Sequence, residues 1–286
     1  MPRYTYRLLN VFQVPGDPLS GNPLCVFEDA RGLTDEAMQR LALQFNLSET
    51  TFILPSADAD ASVRIFTPTF EMPFAGHPTL GTAAVVSELA GKSDCVRLEL
   101  SVGTIPVTRS DNSGAGWTLQ ARRARSRAPS TTRAQLADVL ELHEADLAGS
   151  ALWIDTGSEQ LVVPVASADA LMRCRPKLAD LRRYENVRDS ESLVYVFARI
   201  GDESVCARFF FQKADSVVED PATGSGCANL GGYLLTTGTP APFALEVQQG
   251  EVVARPSRLG LRVEASGDIF VSGSVFELGR GYVELP

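Results

Sequence analysis

The sequence predicts an α+β fold made of two similar halves. The chain has 286 residues and is 44% hydrophobic, which is ample for a buried core. Many short strand-like segments alternate with a few helical ones, and one pattern of strand, turn, glycine and helix occurs twice. An Arg- and Ser-rich stretch from Ala121 to Thr132 marks the boundary. We therefore expect one half at residues 1–120 and the other at 121–286, with the last strands free to return to the first half.

Apolar and β-branched runs bounded by turn residues predict the strands of the first half. These strands are Tyr4–Phe12, Leu24–Phe27, Thr50–Leu54, Ser62–Phe66, Cys95–Leu100, Thr104–Thr108 and Trp117–Gln120. Thr34 is followed by Asp35 and Glu36, which predicts a helix start with a capping hydroxyl and acids in the first turn. Gly76-His77-Pro78 predicts a second helix, running to about Leu89, because proline is tolerated in a first helical turn.

The second half repeats this order in part. Its predicted strands are Gln160–Val165, Leu193–Arg199 and Val205–Phe211, its predicted helices are Arg133–Leu142, Ser167–Met172 and Ser225–Leu235, and strands and glycine turns alternate from Phe243 to Leu285. An arginine cluster lies near the boundary, at Arg122, Arg123, Arg125, Arg127 and Arg133. We interpret it as a solvated linker, with contact to an anion or a partner as the alternative.

Composition excludes several classes of function. The net charge of −9 argues against nucleic acid as the main partner, since phosphate binding needs a basic surface. The first residues lack the apolar run of a signal peptide and no segment could span a membrane, so we expect a cytoplasmic protein. The five cysteines include no C-x-x-C pair, which favours reduced thiols. With two histidines and no nucleotide-binding motif, neither a metal nor a cofactor is expected.

The repeated pattern points to an anion-binding site. An arginine-led strand is followed by E-x-P-x-x-G and a helix, first at Arg64–Phe66 with Glu71–Gly76 and again at Arg208–Phe210 with Glu219–Gly224. A helix N-terminus offers free N–H groups, and glycine lets a ligand approach them closely. Two such helix starts could bind an anion without lysine or arginine. The alternative is two ordinary strand-to-helix turns.

Five residues near these elements could carry chemistry. Glu49 begins a strand-like run and is either a surface acid or an acid–base group. His77, at a helix start, is expected to be a neutral, hydrogen-bonding imidazole unless it only caps or packs. Asp220 and Ser225 could cap the second turn and helix. Cys227 lies where a helix N-terminus would lower the pKa of a thiol, although a core position is the simpler interpretation.

At these residues the chain resembles the PhzF-like phenazine-biosynthesis isomerases. The matching stretches are Ser20-Gly21-Asn22-Pro23, Asn46-Leu47-Ser48-Glu49-Thr50, Phe74-Ala75-Gly76-His77-Pro78-Thr79-Leu80-Gly81 and Glu219-Asp220-Pro221-Ala222-Thr223-Gly224-Ser225-Gly226. The resemblance implies a diaminopimelate epimerase-like fold of two pseudo-symmetric halves. Each half would be a curved, mostly antiparallel sheet around a central helix, with the active site in the cleft between the halves.

The resemblance also implies roles for these residues. The acid–base glutamate falls on Glu49, and the substrate-binding residues fall on His77, Asp220, Gly76, Gly224 and Ser225. It implies a cofactor-independent, homodimeric isomerase that shuttles a proton on a small, dihydro-hydroxyanthranilate-like acid. The epimerase relatives use two cysteines, where this chain has His77 and Ser225. A non-catalytic anion-binding protein and an epimerase or racemase of a small amino or hydroxy acid remain as alternatives.

Overall fold

The chain divides into two compact units. Unit 1 comprises Met1–Gln120 and Ser272–Pro286, and unit 2 comprises Ala121–Val271. The structure is a computed structural model that describes residues 1–92, 94–110, 116–185, 187, 192–213 and 216–285. Within these ranges, no helix has both the length and the apolar character that crossing a membrane requires.

Unit 1 contains eight complete strands and two helices. The strands are β1 (Arg3–Val11), β2 (Asn22–Phe27), β3 (Glu49–Leu54), β4 (Ala61–Phe66), β5 (Glu71–Met72), β6 (Cys95–Leu100), β7 (Gly103–Arg109) and β8 (Gly116–Gln120). The helices are α1 (Asp35–Phe45) and α2 (Gly76–Ala90). The side chain of Thr34 accepts a hydrogen bond from the Ala37 N–H and so caps α1 as the sequence predicts.

Unit 2 contains a similar set of strands and four helices. The strands are β9 (Arg125–Arg127), β10 (Leu152–Asp155), β11 (Glu159–Pro164), β12 (Val194–Arg199), β13 (Ser204–Lys213), β14 (Ser216–Asp220), β15 (Phe243–Gln249) and β16 (Ser257–Val263). The helices are α3 (Arg133–Val139), α4 (Ala168–Arg173), α5 (Leu178–Glu185) and α6 (Gly224–Thr236). The last strand, β17 (Ile269–Glu284), begins in unit 2 and continues in unit 1, where it pairs antiparallel with β1.

Strand pairing follows the same order in both units. In unit 1, β2 is parallel to β3, β3 is antiparallel to β4, β4 pairs with both β5 and β6, and β6 is antiparallel to β7. In unit 2 the same relations join β11 to β12, β12 to β13, β13 to β14 and β15, and β15 to β16. Helices α2 and α6 occupy the same place in this order, after β5 and β14. The internal repeat that the sequence predicts is therefore confirmed at the level of topology.

Each unit is built around one of these two helices. Most residues of α2 and α6 are buried, which is the pattern expected of a helix that is apolar on all sides. Helix α2 packs against β1, β2, β3, β6, β7 and β8, and α6 packs against β9, β10, β11 and β16. Small residues permit this packing. A Cβ added at Gly226 of α6 would lie 2.3 Å from the ring of Tyr195 in β12, so only glycine fits there.

An equivalent arginine–glutamate pair ties the two strands that lead into each central helix. In unit 1, Arg64 on β4 donates Nε and Nη2 to the carboxylate of Glu71 on β5, at 2.7 and 2.6 Å. In unit 2, Arg208 on β13 makes the same two bonds to Glu219 on β14, at 3.0 and 2.6 Å. Both pairs lie at the start of the repeated E-x-P-x-x-G segment, so they anchor the turn that precedes each helix.

Several short elements are not predicted by the sequence. They are strands β5, β9, β10 and β14 and helix α5. Arg125–Arg127 in the arginine cluster are exposed to solvent, as predicted, but they form a strand that pairs with β10 and not an irregular linker. Arg127 also binds the carboxylate of Glu159 at 2.7 Å. A three-residue strand carries almost no local signal, and its pairing with β10 is what defines it.

Candidate active site

The first candidate group is Glu49 with His77, both in unit 1. Glu49 is the first residue of β3, and His77 is the second residue of α2. The Oε2 atom of Glu49 lies 3.4 Å from the Nε2 atom of His77. The two side chains are only 15% and 7% exposed, so Glu49 is not the surface acid that its sequence context also allowed. The fold thus brings together two residues that the sequence singled out independently.

Burial keeps His77 neutral. It lowers the pKa of His77 from 6.5 to about 3, against a smaller opposing effect of a hydrogen bond to the backbone of Pro23. The sequence pointed to the helix N-terminus as the cause of neutrality, but the principal cause is desolvation.

The hydrogen bond to Pro23 also selects the tautomer of His77. Nε2 has no hydrogen-bond partner among the described residues, so the bond to the Pro23 carbonyl uses Nδ1. A carbonyl oxygen only accepts, and Nδ1 therefore carries the proton. Nε2 then presents a lone pair toward the carboxyl group of Glu49. The 3.4 Å approach thus places a carboxyl group beside a neutral imidazole, two residue types that serve in acid–base chemistry.

The two central helices differ from other helices in how they begin. The side chains of Thr34, Thr132 and Ser167 cap α1, α3 and α4 by accepting backbone N–H groups. The N-cap residues of α2 and α6 are Ala75 and Thr223, and neither caps its helix through a side chain. The side chains of Ala75 and Thr223 therefore do not occupy the first-turn N–H groups of these helices, a position that favours negative charge.

Asp220, in unit 2, is held in a network of hydrogen bonds. It is the last residue of β14, and its Oδ2 accepts a bond of 2.5 Å from the hydroxyl of Thr223. Gln249, at the end of β15, donates its side-chain amide to the Asp220 carbonyl at 2.9 Å and to the Thr223 hydroxyl at 3.0 Å. Gln249 is fully buried. Asp220 therefore has a set orientation beside the start of α6.

Ser225 is the second residue of α6, the position that His77 has in α2. It is not the N-cap, which is Thr223. Its Oγ accepts a hydrogen bond of 2.8 Å from Nε2 of Gln160, on β11. The Ser225 hydroxyl proton remains available to an acceptor such as a carboxylate oxygen. Gly76 and Gly224, the remaining predicted residues, are the first residues of α2 and α6.

The interpretation of Cys227 as a core residue is confirmed. Cys227 is fully buried in α6, and desolvation raises the pKa of its thiol. The field of the helix N-terminus is outweighed by the loss of water around the sulfur. A buried thiol of this kind is unsuited to proton transfer through a thiolate, so the core interpretation of Cys227 is the correct one.

Sequence reasoning missed Thr223, Gln249 and Gln160. Thr223 lies inside the repeated motif, but a threonine just before a helix predicts a helix cap and not a hydrogen bond to Asp220. Gln249 and Gln160 are strand residues, and an isolated glutamine in a strand has no pattern that distinguishes it. Their contacts with the start of α6 depend on strand pairing within unit 2, where β11 pairs with β12 and β15 pairs with β13.

Comparison with known proteins finds relatives that match nearly the whole chain. A family model described as phenazine biosynthesis-like protein, PhzC-PhzF, matches residues 12–274. An uncharacterised isomerase of Pasteurella multocida is 37% identical over 99% of this chain and 95% of its own length. The trans-2,3-dihydro-3-hydroxyanthranilate isomerase of Pseudomonas aeruginosa is 34% identical over 98% of this chain and 100% of its own. A PhzF-family protein of Bacillus anthracis has the same fold, with a TM-score of 0.86 over the full length of both chains at 24% identity.

These similarities first define the class of protein, an isomerase with an α+β fold of two repeated halves. The predicted fold class is confirmed. The chain belongs to the PhzC-PhzF family of phenazine biosynthesis-like proteins.

Proposed function

We propose that this protein is a cofactor-independent isomerase that moves a proton between carbons of a small, carboxylate-bearing substrate. The substrate resembles dihydro-hydroxyanthranilate, and Glu49 is the acid–base group. The observation that carries the proposal is the 3.4 Å approach of the Glu49 carboxyl to Nε2 of His77 in a buried setting. The Pseudomonas aeruginosa relative, named trans-2,3-dihydro-3-hydroxyanthranilate isomerase, supports the choice of substrate class.

Binding of the substrate carboxylate uses the uncapped helix starts. In unit 1, the start of α2 at Gly76 supplies the N–H group of His77, and Nε2 of His77 supplies an acceptor. In unit 2, the start of α6 at Gly224 and the Ser225 hydroxyl supply donors, and the carboxyl group of Asp220 supplies an acceptor. Each set combines donors for a carboxylate with an acceptor for a hydroxyl or amino group, and none of the donors carries a formal positive charge.

Proton transfer follows from this binding. Glu49 in its ionised form removes a carbon-bound proton and returns it at another carbon of the conjugated system. Partial burial and the neighbouring His77 keep the Glu49 carboxyl group within the site rather than in bulk solvent. A positioned acid–base group contributes about 10²–10⁴-fold, so orientation and stabilisation of the anion must supply the remainder of the rate.

The test is turnover of trans-2,3-dihydro-3-hydroxyanthranilate in deuterated water, followed by NMR. The wild-type protein should convert the substrate and incorporate solvent deuterium at one carbon. Glu49→Gln should lose both signals, because an amide cannot shuttle a proton. Glu36→Gln, at an exposed position in the first turn of α1, is the control and should behave as the wild type. Near-normal turnover by Glu49→Gln would refute the proposal.

The same experiment separates the alternatives. A non-catalytic anion-binding protein would retain the ligand with no deuterium uptake. An epimerase would place deuterium at the carbon that lost its proton, with inversion, whereas the proposed isomerase places it at a different carbon. The burial of Cys227 disfavours a racemase that depends on its thiolate.

Localisation in the cytoplasm and a homodimeric assembly complete the proposal, and the family resemblance supports the homodimer. Light scattering of the purified protein after gel filtration tests the assembly. A monomer mass of 30.8 kDa at all concentrations would refute the homodimer.

A further inference from the structure

The turn between β14 and α6 is tied to the end of β15 by a single side chain. Gln249 donates to the Asp220 carbonyl and to the Thr223 hydroxyl, and its Oε1 accepts the backbone N–H of Thr223 at 3.2 Å. The next residue, Gly250, has a φ of +88°, and a Cβ there would lie 2.5 Å from the Pro221 carbonyl. Strand end and turn are therefore in close contact along their backbones.

The direction of each hydrogen bond in this group is determined by chemistry. A backbone N–H only donates, so the atom of Gln249 that meets the Thr223 N–H must be its oxygen. The amide nitrogen of Gln249 is then the atom that faces the Thr223 hydroxyl and donates to it. With one lone pair of its oxygen used, the Thr223 hydroxyl directs its own proton to Oδ2 of Asp220 at 2.5 Å.

This arrangement removes Thr223 from its usual role. A threonine at an N-cap normally accepts a first-turn N–H of its own helix, as Thr132 does for α3. The hydroxyl of Thr223 makes no such bond, because its side chain faces Asp220 and Gln249: it donates to Asp220 and accepts from the Gln249 amide. This orientation has two effects: the Thr223 side chain does not cap α6, and the Asp220 carboxyl group is held in place by a hydrogen bond.

We propose that Thr223 and Gln249 are positioning residues that orient Asp220 and keep the start of α6 open for the substrate. They act as one chain, in which Gln249 sets the hydroxyl of Thr223 and Thr223 sets the carboxylate of Asp220. The inference rests on the proposed function, since it assumes that Asp220 and the α6 N-terminus contact the substrate.

The kinetic test compares matched variants at Thr223. Thr223→Val keeps the volume but lacks the hydroxyl, so kcat/KM for trans-2,3-dihydro-3-hydroxyanthranilate should fall about 10- to 100-fold. Thr223→Ser restores the hydroxyl and should recover most of the activity. Thr236→Val is the control: its hydroxyl binds the Gly232 carbonyl near the other end of the same helix, and activity should not change. Failure of Thr223→Ser to exceed Thr223→Val would overturn the inference.

A double variant tests whether the two residues act as one chain. Gln249→Met removes both amide donors at similar volume and should resemble Thr223→Val. The double variant Thr223→Val/Gln249→Met should have a kcat/KM no lower than that of the less active single variant, because each change breaks the same chain of hydrogen bonds. Losses that multiply would show independent roles and would overturn the inference.

A ligand-free measurement separates this inference from the proposed function. The Thr223 hydroxyl proton, held at 2.5 Å from a carboxylate, should give a slowly exchanging NMR signal that is absent in Thr223→Val and in Asp220→Asn. Absence of this signal in the wild type overturns the inference whether or not the substrate turns over. Wild-type activity in Thr223→Val together with an inactive Glu49→Gln overturns the positioning role and leaves the proposed function intact. Wild-type activity in Glu49→Gln instead refutes the function.

Discussion

The equivalent pairs Arg208–Glu219 and Arg64–Glu71 should differ sharply in their contribution to stability. The side chains of the first pair are 5% and 9% exposed, whereas those of the second are 24% and 41% exposed. Nη1 of Arg208 also donates to the carbonyls of Leu171 and Cys174 at the end of α4, both at 2.9 Å. Removal of Arg208 therefore leaves a buried carboxylate without its cation, whereas the two carbonyls each keep a second donor, Nη1 of Arg175 for Cys174 and the Cys174 N–H for Leu171.

The perturbation is Arg208→Met, compared with Arg64→Met. Loss of one partner from a buried ion pair costs about 3–5 kcal/mol, and loss of a partly exposed pair costs about 1 kcal/mol or less. Urea denaturation followed by circular dichroism measures both variants. The fluorescence of Trp153, read in a Trp117→Phe background, reports unit 2 alone, because Trp153 is then the sole tryptophan.

A double variant completes this experiment. Arg208→Met/Glu219→Leu removes the orphaned carboxylate and should regain part of the stability, although the hydrogen bonds from Arg208 to the carbonyls of Leu171 and Cys174 remain lost. Equal losses in Arg208→Met and Arg64→Met would refute the reasoning, as would a double variant that is less stable than Arg208→Met.

Two further predictions concern packing and pH. Gly226→Ala should destabilise the protein by about 1–3 kcal/mol, because the new methyl group would lie 2.3 Å from the Tyr195 ring. The control is Gly279→Ala, whose added methyl group would have no atom within 4 Å and should not lower the thermal midpoint. The pKa of His77 is lowered by burial to about 3, so between that pH and 6.5 the unfolded chain binds a proton that the folded chain does not. Acidification from pH 7 to 4.5 then costs about 3 kcal/mol at this residue. His77→Asn should lose less stability on acidification than the wild type, as measured by urea midpoints. An equal loss in both proteins would contradict the prediction. The control, His143→Asn at an exposed position, should follow the wild type.

Local patterns were sufficient for much of the fold. Thr34 with its following acids predicts the start of α1, and Gly76-His77-Pro78 predicts the start of α2, because caps and first turns depend on neighbouring residues only. The arginine-led strand and the E-x-P-x-x-G segment identify the repeat, which the pairing order of both units confirms. Helix α5 and strand β9 could not be predicted from the sequence, because their short, polar segments are stabilised by contacts with residues that are distant in the chain.

The sequence by itself determined the repeat, the two glycine-led helix starts and the residue types that stand there. Only the tertiary structure decided which of those residues meet. The start of β3 places Glu49 beside His77, and the end of β15 places Gln249 beside Thr223. Tertiary structure also decided between the two interpretations of Cys227: it lies in the core, and its thiol pKa rises although the helix field alone would lower it. The physical reason is the same in each case: the field at a helix start depends on nearby residues of the chain, whereas desolvation and side-chain proximity are set by what the rest of the chain packs around a residue.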